Sequence, residues 1–277
     1  MDSLFQHYNL EYVNLDNFEL PIGEKPYILQ IVKDGIKFEF LIRTKECSKK
    51  AIIFGSGAYD ATSELSPPIF QRHKWIKHFS ENLIYYNDPT LYLGPINIGW
   101  GFGYKERHYL SEIGVILKAL LKKMNVKEEK ALLYGSSAGG FMSLMLAGYF
   151  KNAKVLVNNP QTIVWNYYDK HVNAMFKYGY PELSREEIIN KYTKRLSILE
   201  FYKSINYIPP IYYLQNATSI RDIEAHLNPF LLGLSQFNDE SIQTPIKVEL
   251  YSDKELGHSP LRITESLTYI NNVIDTL

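Results

Sequence analysis

The sequence predicts an α/β protein in which helices cover both faces of a mostly parallel sheet. From residue 50 onward, short apolar runs alternate with segments whose apolar residues recur at helical spacing. This alternation is typical of buried parallel strands joined by crossover helices. The 277 residues contain no repeat, low-complexity tract or Gly/Ser linker, so a single domain over 1–277 is expected. Ligands of such sheets bind at the carboxyl ends of the strands, where we expect the functional residues.

The predicted elements follow one another along the chain. Six apolar runs after residue 50 are predicted strands: AIIFGSG (51–57), ENLIYYND (81–88), EKALLYGSS (129–137), AKVLVNNP (153–160), PPIYYLQN (209–216) and PIKVELYSD (245–253). Helical periodicity marks residues 109–125 and the carboxy-terminal segment 262–277. Residues 25–44 have β-rich runs around Lys33-Asp34-Gly35, which indicates a hairpin at one edge of the sheet.

Composition excludes several classes of function. Thirty basic residues balance thirty acidic ones, so nothing favours electrostatic capture of nucleic acid or of an anionic membrane. The segment MDSLFQHYNLEY lacks the features of a signal peptide, and no apolar stretch approaches the ~20 residues that span a bilayer. Cys47 is the single cysteine, which excludes internal disulfides and zinc sites built on paired cysteines. We expect a cytoplasmic protein with no metal site.

The segment GSSAG, residues 135–139, matches the pattern G-x-S-x-G and makes Ser137 the candidate nucleophile. A predicted strand precedes it and a helical pattern follows it, which is the context that this motif requires. Gly135 and Gly139 are small enough for the tight turn, and Ser136 is expected to hold that turn by hydrogen bonds. The amino terminus of the helix would direct its N–H groups at the reacting centre.

A nucleophilic serine needs a base and an acid that orients the base. His258 lies in the loop between the last strand and the last helix, the position expected for the base, and His226 is the alternative. Asp222 follows the penultimate strand by a short loop and is the favoured acid. Asp253 ends the last strand only five residues before His258 and remains the alternative acid.

Two backbone N–H groups are expected to form the oxyanion hole. Ala138 follows the nucleophile and supplies the first donor. The second should come from the loop GSGAYD after the strand 51–57, with Gly57 or Ala58 as the donor.

The long aromatic segment 160–208 is a predicted cap-like insertion over the site. Trp165, Tyr167 and Tyr168 are candidate substrate contacts because aromatic rings stack on sugars. His226 is a further candidate contact. The motif GWGFG (99–103) lacks the spacing of a dinucleotide site and is expected to form a loop beside the active site.

These motifs together resemble the α/β-hydrolase superfamily over roughly residues 30–277. Within it, LLYGSSAGGFMSLMLAGYF, NNPQT and YLQNATSIRDIEAH are similar to the carbohydrate O-acetyltransferase branch, which includes bacterial capsule O-acetyltransferases. The resemblance implies an acetyl-serine intermediate at Ser137, acetyl-CoA as acyl donor without a tightly bound cofactor, and a saccharide hydroxyl as acceptor.

Two other functions stay open at this level. Acyl transfer and ester hydrolysis share the first half-reaction, so the same triad would serve a carboxylesterase or deacetylase. A non-catalytic binding protein on this fold is the third hypothesis, and the intact Ser–Asp–His order argues against it. The sequence contains no recognisable signature for coenzyme A and predicts no oligomeric state.

Overall fold

The computed structural model describes residues 5–60, 62, 65–237 and 245–277. Within them, nine strands form one sheet in the order β1-β2-β3-β5-β4-β6-β7-β8-β9. The strands are β1 (Gln6–Glu11), β2 (Tyr27–Lys33), β3 (Ile36–Arg43), β4 (Ala51–Gly55), β5 (Asn82–Tyr86), β6 (Ala131–Ser136), β7 (Lys154–Asn158), β8 (Ile211–Asn216) and β9 (Ile246–Tyr251). All six strands predicted after residue 50 are present, each within the predicted range. The chain is therefore an α/β protein with a mostly parallel sheet.

The predicted hairpin forms and lies at one end of the sheet. β2 and β3 pair antiparallel, with Lys33 opposite Ile36. The two residues between them, Asp34 and Gly35, have φ angles of 48° and 76°, as a tight two-residue hairpin turn requires. Outside the hairpin runs β1, parallel to β2. The sequence predicts extended segments over the first fifty residues but sets no bounds for β1, because this edge strand is mostly exposed and carries no strong apolar pattern.

Helices lie on both faces of the sheet, as predicted. The described α-helices are α1 (Tyr109–Lys123), α2 (Ala138–Tyr149), α3 (Asp169–Gly179), α4 (Arg185–Leu196), α5 (Ile198–Ile205), α6 (Ile220–Asp222), α7 (Asn228–Leu234) and α8 (Ile263–Ile274). Alternate residues of each central strand serve the two faces. Leu133 packs with α1 and α2 in the larger core, whereas Leu132 and Tyr134 pack with α8 in the smaller one.

The strand order reverses beside the strand that carries the candidate nucleophile. β5 lies on one side of β4, and β6 pairs with β4 on its other side. Connections that diverge from neighbouring strands open a crevice at the carboxyl ends of those strands. The loops that follow β4 and β6 meet at this crevice, and they contain the predicted oxyanion loop and the GSSAG motif.

The segment 160–208 contains α3, α4 and α5. α5 lies directly on α2, where the Tyr202 hydroxyl donates to the Leu144 carbonyl at 2.8 Å. α3 and α4 pack around Phe102 of the GWGFG loop, whose ring contacts those of Phe176, Tyr180 and Tyr192. The last helix of the segment is thus the crossover helix between β7 and β8, and the earlier two cover the loop after β5.

Candidate active site

Ser137 sits alone between the end of β6 at Ser136 and the start of α2 at Ala138. Its backbone angles are φ 53° and ψ −124°, a combination that non-glycine residues rarely adopt. Backbone strain of this kind is concentrated at functional sites. The turn leaves the side chain partly exposed while its neighbours on both sides are buried. The strained turn therefore directs one hydroxyl into the crevice.

The glycines of GSSAG are required by close backbone contacts. A Cβ on Gly135 would lie 2.2 Å from the Gly139 carbonyl oxygen, and one on Gly139 would lie 2.5 Å from the Gly55 carbonyl oxygen. Both neighbours are backbone atoms, which cannot move away as a flexible side chain would. The G-x-S-x-G spacing thus follows from how tightly α2 approaches the ends of β6 and β4.

Gly135→Ala is expected to destabilise the protein by about 1–3 kcal/mol or more, because overpacking against backbone forces the turn to shift. Gly114→Ala, in the middle of α1, is the matched control. There the new Cβ would meet Leu146 at 3.4 Å, an ordinary contact, and alanine favours the helix. Urea unfolding of both variants measures the difference. Equal stabilities would contradict this account of the turn.

His258 and Asp222 meet at Ser137. The imidazole Nε2 of His258 lies 2.9 Å from Ser137 Oγ, and its Nδ1 lies 2.7 Å from Asp222 Oδ2. The carboxylate of Asp222 is buried and also accepts a 2.6 Å hydrogen bond from the Ser219 hydroxyl. Because a carboxylate only accepts, Nδ1 carries the proton and Nε2 is left to accept from the serine.

The two alternative residues are engaged by other groups. The Asp253 carboxylate pairs with Arg262 and caps the backbone N–H groups of Glu255 and Leu256. The hydrogen bond from Arg262 lowers the pKa of Asp253 most. His226 is buried, its Nδ1 accepts from the Thr162 N–H, and burial lowers its pKa to about 4. Within the described residues, Asp222 is thus the carboxylate that contacts His258, and His226 is a neutral core histidine.

Buried asparagines hold the loop that carries His258. The Asn159 side-chain amide donates to the carbonyls of His258 and Ser259 at 3.3 and 3.2 Å. Asn158 Oδ1 accepts from the Leu261 N–H, and Asn216 donates to the Gly257 carbonyl. The loop is therefore tied on both sides of the imidazole to the ends of β7 and β8.

The predicted oxyanion loop lies against the turn at Ser137. A Cβ on Gly57 would be 3.3 Å from the Ser136 carbonyl oxygen. The Gly57 N–H, however, donates to the Gln71 side chain at 2.8 Å, and the Gln71 amide returns a bond to the Ala58 carbonyl. Ala138 is the first residue of α2, so its N–H precedes the intrahelical bonds. Of the two residues predicted for the second donor, Ala58 is the one whose N–H is not engaged by Gln71.

Ser136, the other serine of the motif, points to a different group. Its hydroxyl accepts a 2.6 Å hydrogen bond from Arg72, whose guanidinium lies over the rings of Trp75 and Tyr134. This contact ties the turn to the segment after β4, as the sequence predicts for a supporting residue.

The predicted aromatic contacts separate into two groups. The centroid of the Tyr167 ring lies 6.4 Å from that of the His258 ring. The exposed ring of Tyr168 lies beside that of Tyr167, and the Arg221 guanidinium lies 4.0 Å from the centroid of the Tyr168 ring. Trp165 packs against the hydrophobic core, and its carbonyl accepts from Arg185. Tyr167 and Tyr168 thus lie at the site, and Trp165 belongs to the packing of the 160–208 segment.

Sequence reasoning missed one contact to the candidate nucleophile. Gln161 Nε2 donates to Ser137 Oγ at 2.8 Å, and Gln161 Oε1 accepts from Trp100 Nε1 at 2.6 Å. Gln161 belongs to the motif NNPQT, for which the sequence predicts no role. One feature of the sequence points to a functional role for this motif: it is a run of polar residues that follows a predicted buried strand, and so lies at the carboxyl edge of the sheet.

No protein-family model matches the chain, and no curated protein matches it. Solved structures share its fold. The capsule O-acetyltransferase of Neisseria meningitidis serogroup A has a TM-score of 0.67 at 16% identity, covering 88% of this chain and 96% of that one. A histidine-to-alanine mutant of that enzyme in complex with CoA has a TM-score of 0.65 at 18% identity, covering 87% and 95%. Apo prolyl oligopeptidase B from Galerina marginata has a TM-score of 0.60 at 15% identity, covering 88% and 35%. At these identities the likeness establishes the fold.

The part of the chain that the structure describes lacks two features. It holds no group of three or more His, Cys, Asp or Glu side chains arranged to bind a metal ion. None of its helices combines the length and the apolar character needed to cross a bilayer.

Proposed function

We propose that the protein is a serine-dependent O-acetyltransferase that moves an acetyl group from acetyl-CoA to a saccharide hydroxyl. Ser137 is the nucleophile, His258 the general base and acid, and Asp222 the carboxylate that orients His258. The observation that carries the proposal is the chain of contacts from Ser137 Oγ through His258 to Asp222, at 2.9 and 2.7 Å. It lies on a fold shared with a capsule O-acetyltransferase that has been captured with CoA.

The first half-reaction forms acetyl-Ser137. Ser137 Oγ attacks the thioester carbonyl while His258 Nε2 takes the hydroxyl proton, and Asp222 stabilises the resulting imidazolium. The negative charge on the former carbonyl oxygen is met by the Ala138 N–H at the positive end of α2 and by an N–H of the 57–58 loop. Collapse of the tetrahedral intermediate breaks the C–S bond, and His258 returns the proton to the CoA sulfur.

The second half-reaction repeats this chemistry with a sugar hydroxyl. His258 removes the proton of the acceptor hydroxyl, whose oxygen attacks the acetyl carbon. Collapse then breaks the bond to Ser137 Oγ, which His258 reprotonates. Tyr167 and Tyr168 support a saccharide acceptor, since the ring of Tyr167 lies beside His258, that of Tyr168 lies beside Tyr167, and aromatic faces stack on sugars. The Arg221 guanidinium, which lies over the Tyr168 ring, places a positive charge beside these tyrosines. Such a charge is suited to bind the phosphates of acetyl-CoA.

The test measures free CoA and acetyl-polysaccharide when the purified protein is incubated with acetyl-CoA, with and without a polysaccharide acceptor. CoA release that depends on the acceptor, with stoichiometric acetylation of the sugar, is the expected result. Ser137→Ala is the matched control, because any CoA release that survives it is not due to this site.

The chief alternative is ester hydrolysis by the same triad. It is favoured by one observation, the shared fold with prolyl oligopeptidase B, which has been solved with a hydrolysis and macrocyclization substrate. Rapid turnover of p-nitrophenyl acetate, with no effect of the acceptor, would assign the esterase function and overturn transfer. Saccharide binding without turnover of either substrate would instead assign a non-catalytic binding protein.

A further inference from the structure

The side chain of Gln161 is buried and placed against the reacting oxygen of Ser137. It has no exposed surface, and its Nε2 lies 2.8 Å from Ser137 Oγ. Its backbone N–H donates separately to the Ser137 carbonyl at 3.2 Å. Because the backbone bond already joins the two residues, the side-chain contact is not needed to hold the chain there.

Trp100 determines which end of the Gln161 amide faces the serine. An indole N–H only donates, so the atom 2.6 Å from Trp100 Nε1 must be the amide oxygen. The NH₂ end therefore points at Ser137 Oγ. Trp100 is itself fully buried at a positive φ of 52°, and the next residue, Gly101, donates its N–H to the buried Asp88 carboxylate at 2.8 Å. The GWGFG loop thus holds Gln161 in one orientation.

The directions of these hydrogen bonds orient the serine hydroxyl. Since the amide NH₂ only donates, Ser137 Oγ accepts from Gln161 through a lone pair. The hydroxyl hydrogen is then left for His258 Nε2, the other neighbour at hydrogen-bond distance among the described residues, which accepts. The Gln161 amide therefore fixes the position of Ser137 Oγ and leaves the hydroxyl proton directed at His258 Nε2.

We propose that Gln161 is a further catalytic residue, which donates a hydrogen bond to Ser137 Oγ and stabilises the negative charge that this oxygen bears during the reaction. The inference rests on the proposed role of Ser137 as nucleophile. Charge builds on Oγ as His258 removes the proton in acylation, and again as Oγ leaves the acetyl carbon in deacylation. The amide proton stays on Gln161 throughout, and its hydrogen bond strengthens when the acceptor becomes charged.

The test is the rate at which a fluorophosphonate labels Ser137, because this reaction needs a reactive serine but neither acetyl-CoA nor a sugar. Gln161→Met removes the donor at similar volume. Gln161→Glu also removes it but keeps an acceptor for Trp100. Both variants are expected to label roughly 10- to 100-fold more slowly than the wild type, the usual effect of losing a hydrogen bond to a charged group. With acetyl-CoA, the loss should fall on kcat rather than on KM, since the contact is made to the reacting oxygen.

Gln215→Met is the matched control. Gln215 is another fully buried glutamine, on β8, and its Nε2 donates to the Asn216 carbonyl. It should label at the wild-type rate. Thermal unfolding of each variant shows whether it is folded at the assay temperature, and mass spectrometry locates the label.

Each result decides the inference. Wild-type labelling rates in Gln161→Met would overturn it, and so would a slow Met variant beside a wild-type Glu variant, because then the donor is not what matters. A wild-type protein that is labelled elsewhere than at Ser137, or not at all, would overturn the proposed function and this inference with it. Slow labelling of both folded Gln161 variants beside a normal Gln215→Met supports the role.

Discussion

Ser137→Ala is expected to lower acetyl transfer by roughly 10⁶-fold, the scale on which removal of a serine nucleophile acts in triad enzymes. The oxygen that is lost is the one that contacts both His258 and Gln161. The fold should persist, because alanine and serine bear the same backbone strain at φ 53° and the side chain is only partly buried. Acceptor-dependent CoA release measures the activity, and thermal unfolding measures the stability.

Ser136→Ala is the control for this prediction. The two serines are adjacent, but Ser136 Oγ bonds to Arg72 rather than to the imidazole. Its loss should cost about 1.5–3 kcal/mol of stability, because the hydrogen bond comes from a charged guanidinium, while substantial transfer activity remains. A Ser136 variant as inactive as the Ser137 variant, or near-normal activity in Ser137→Ala, would refute the assignment of the nucleophile.

Asp222→Asn is expected to lower transfer by roughly 10⁴-fold without unfolding the protein. The substitution keeps the shape of the side chain but replaces the acceptor at 2.7 Å from His258 Nδ1. The amide can then favour the tautomer in which Nε2 carries the proton and cannot accept from Ser137. The measurement is kcat/KM for acetyl-CoA at saturating acceptor, beside the thermal unfolding curve.

The informative comparison is Asp253→Asn, the same change five residues before His258. Asp253 is paired with Arg262 at the surface, so its loss should leave kcat/KM within a few-fold of the wild type. Were Asp253→Asn the more damaging of the two, the acid would be reassigned to Asp253, and the hydrogen bond between Asp222 and His258 would have to be structural only.

The strands and the turn at Ser137 were predictable because their causes are local. An apolar run must be buried, whatever lies beside it, so the six strands after residue 50 lie where the pattern predicts them. Asp34-Gly35 specifies a hairpin through its own φ angles. Gly135 and Gly139 are small because the first turn of α2 lies directly against the ends of β6 and β4.

Other features depend on which side chains the fold brings together. Asp222 and Asp253 both lie after strands at the carboxyl edge, and only in the fold does Asp222 contact His258 while Asp253 pairs with Arg262. Gly57 fits the spacing of an oxyanion donor, yet Gln71 engages its N–H from another segment. Trp165 and Tyr167 lie two residues apart and both pack against the core, but of the two it is Tyr167 whose ring approaches that of His258. No periodicity encodes these choices, because the partners lie far apart along the chain.

The motif NNPQT shows the difference between what the sequence determines and what only the tertiary structure determines. By itself the sequence determined that this is an α/β protein with a strained serine turn at the carboxyl edge of its sheet, since burial of apolar runs and backbone sterics act over a few residues. Only the tertiary structure decided what the motif does: Asn158 and Asn159 hold the His258 loop, and Gln161 contacts Ser137. These hydrogen bonds join residues 24 to 103 positions apart, so their geometry exists only once the sheet has brought the ends of its strands together.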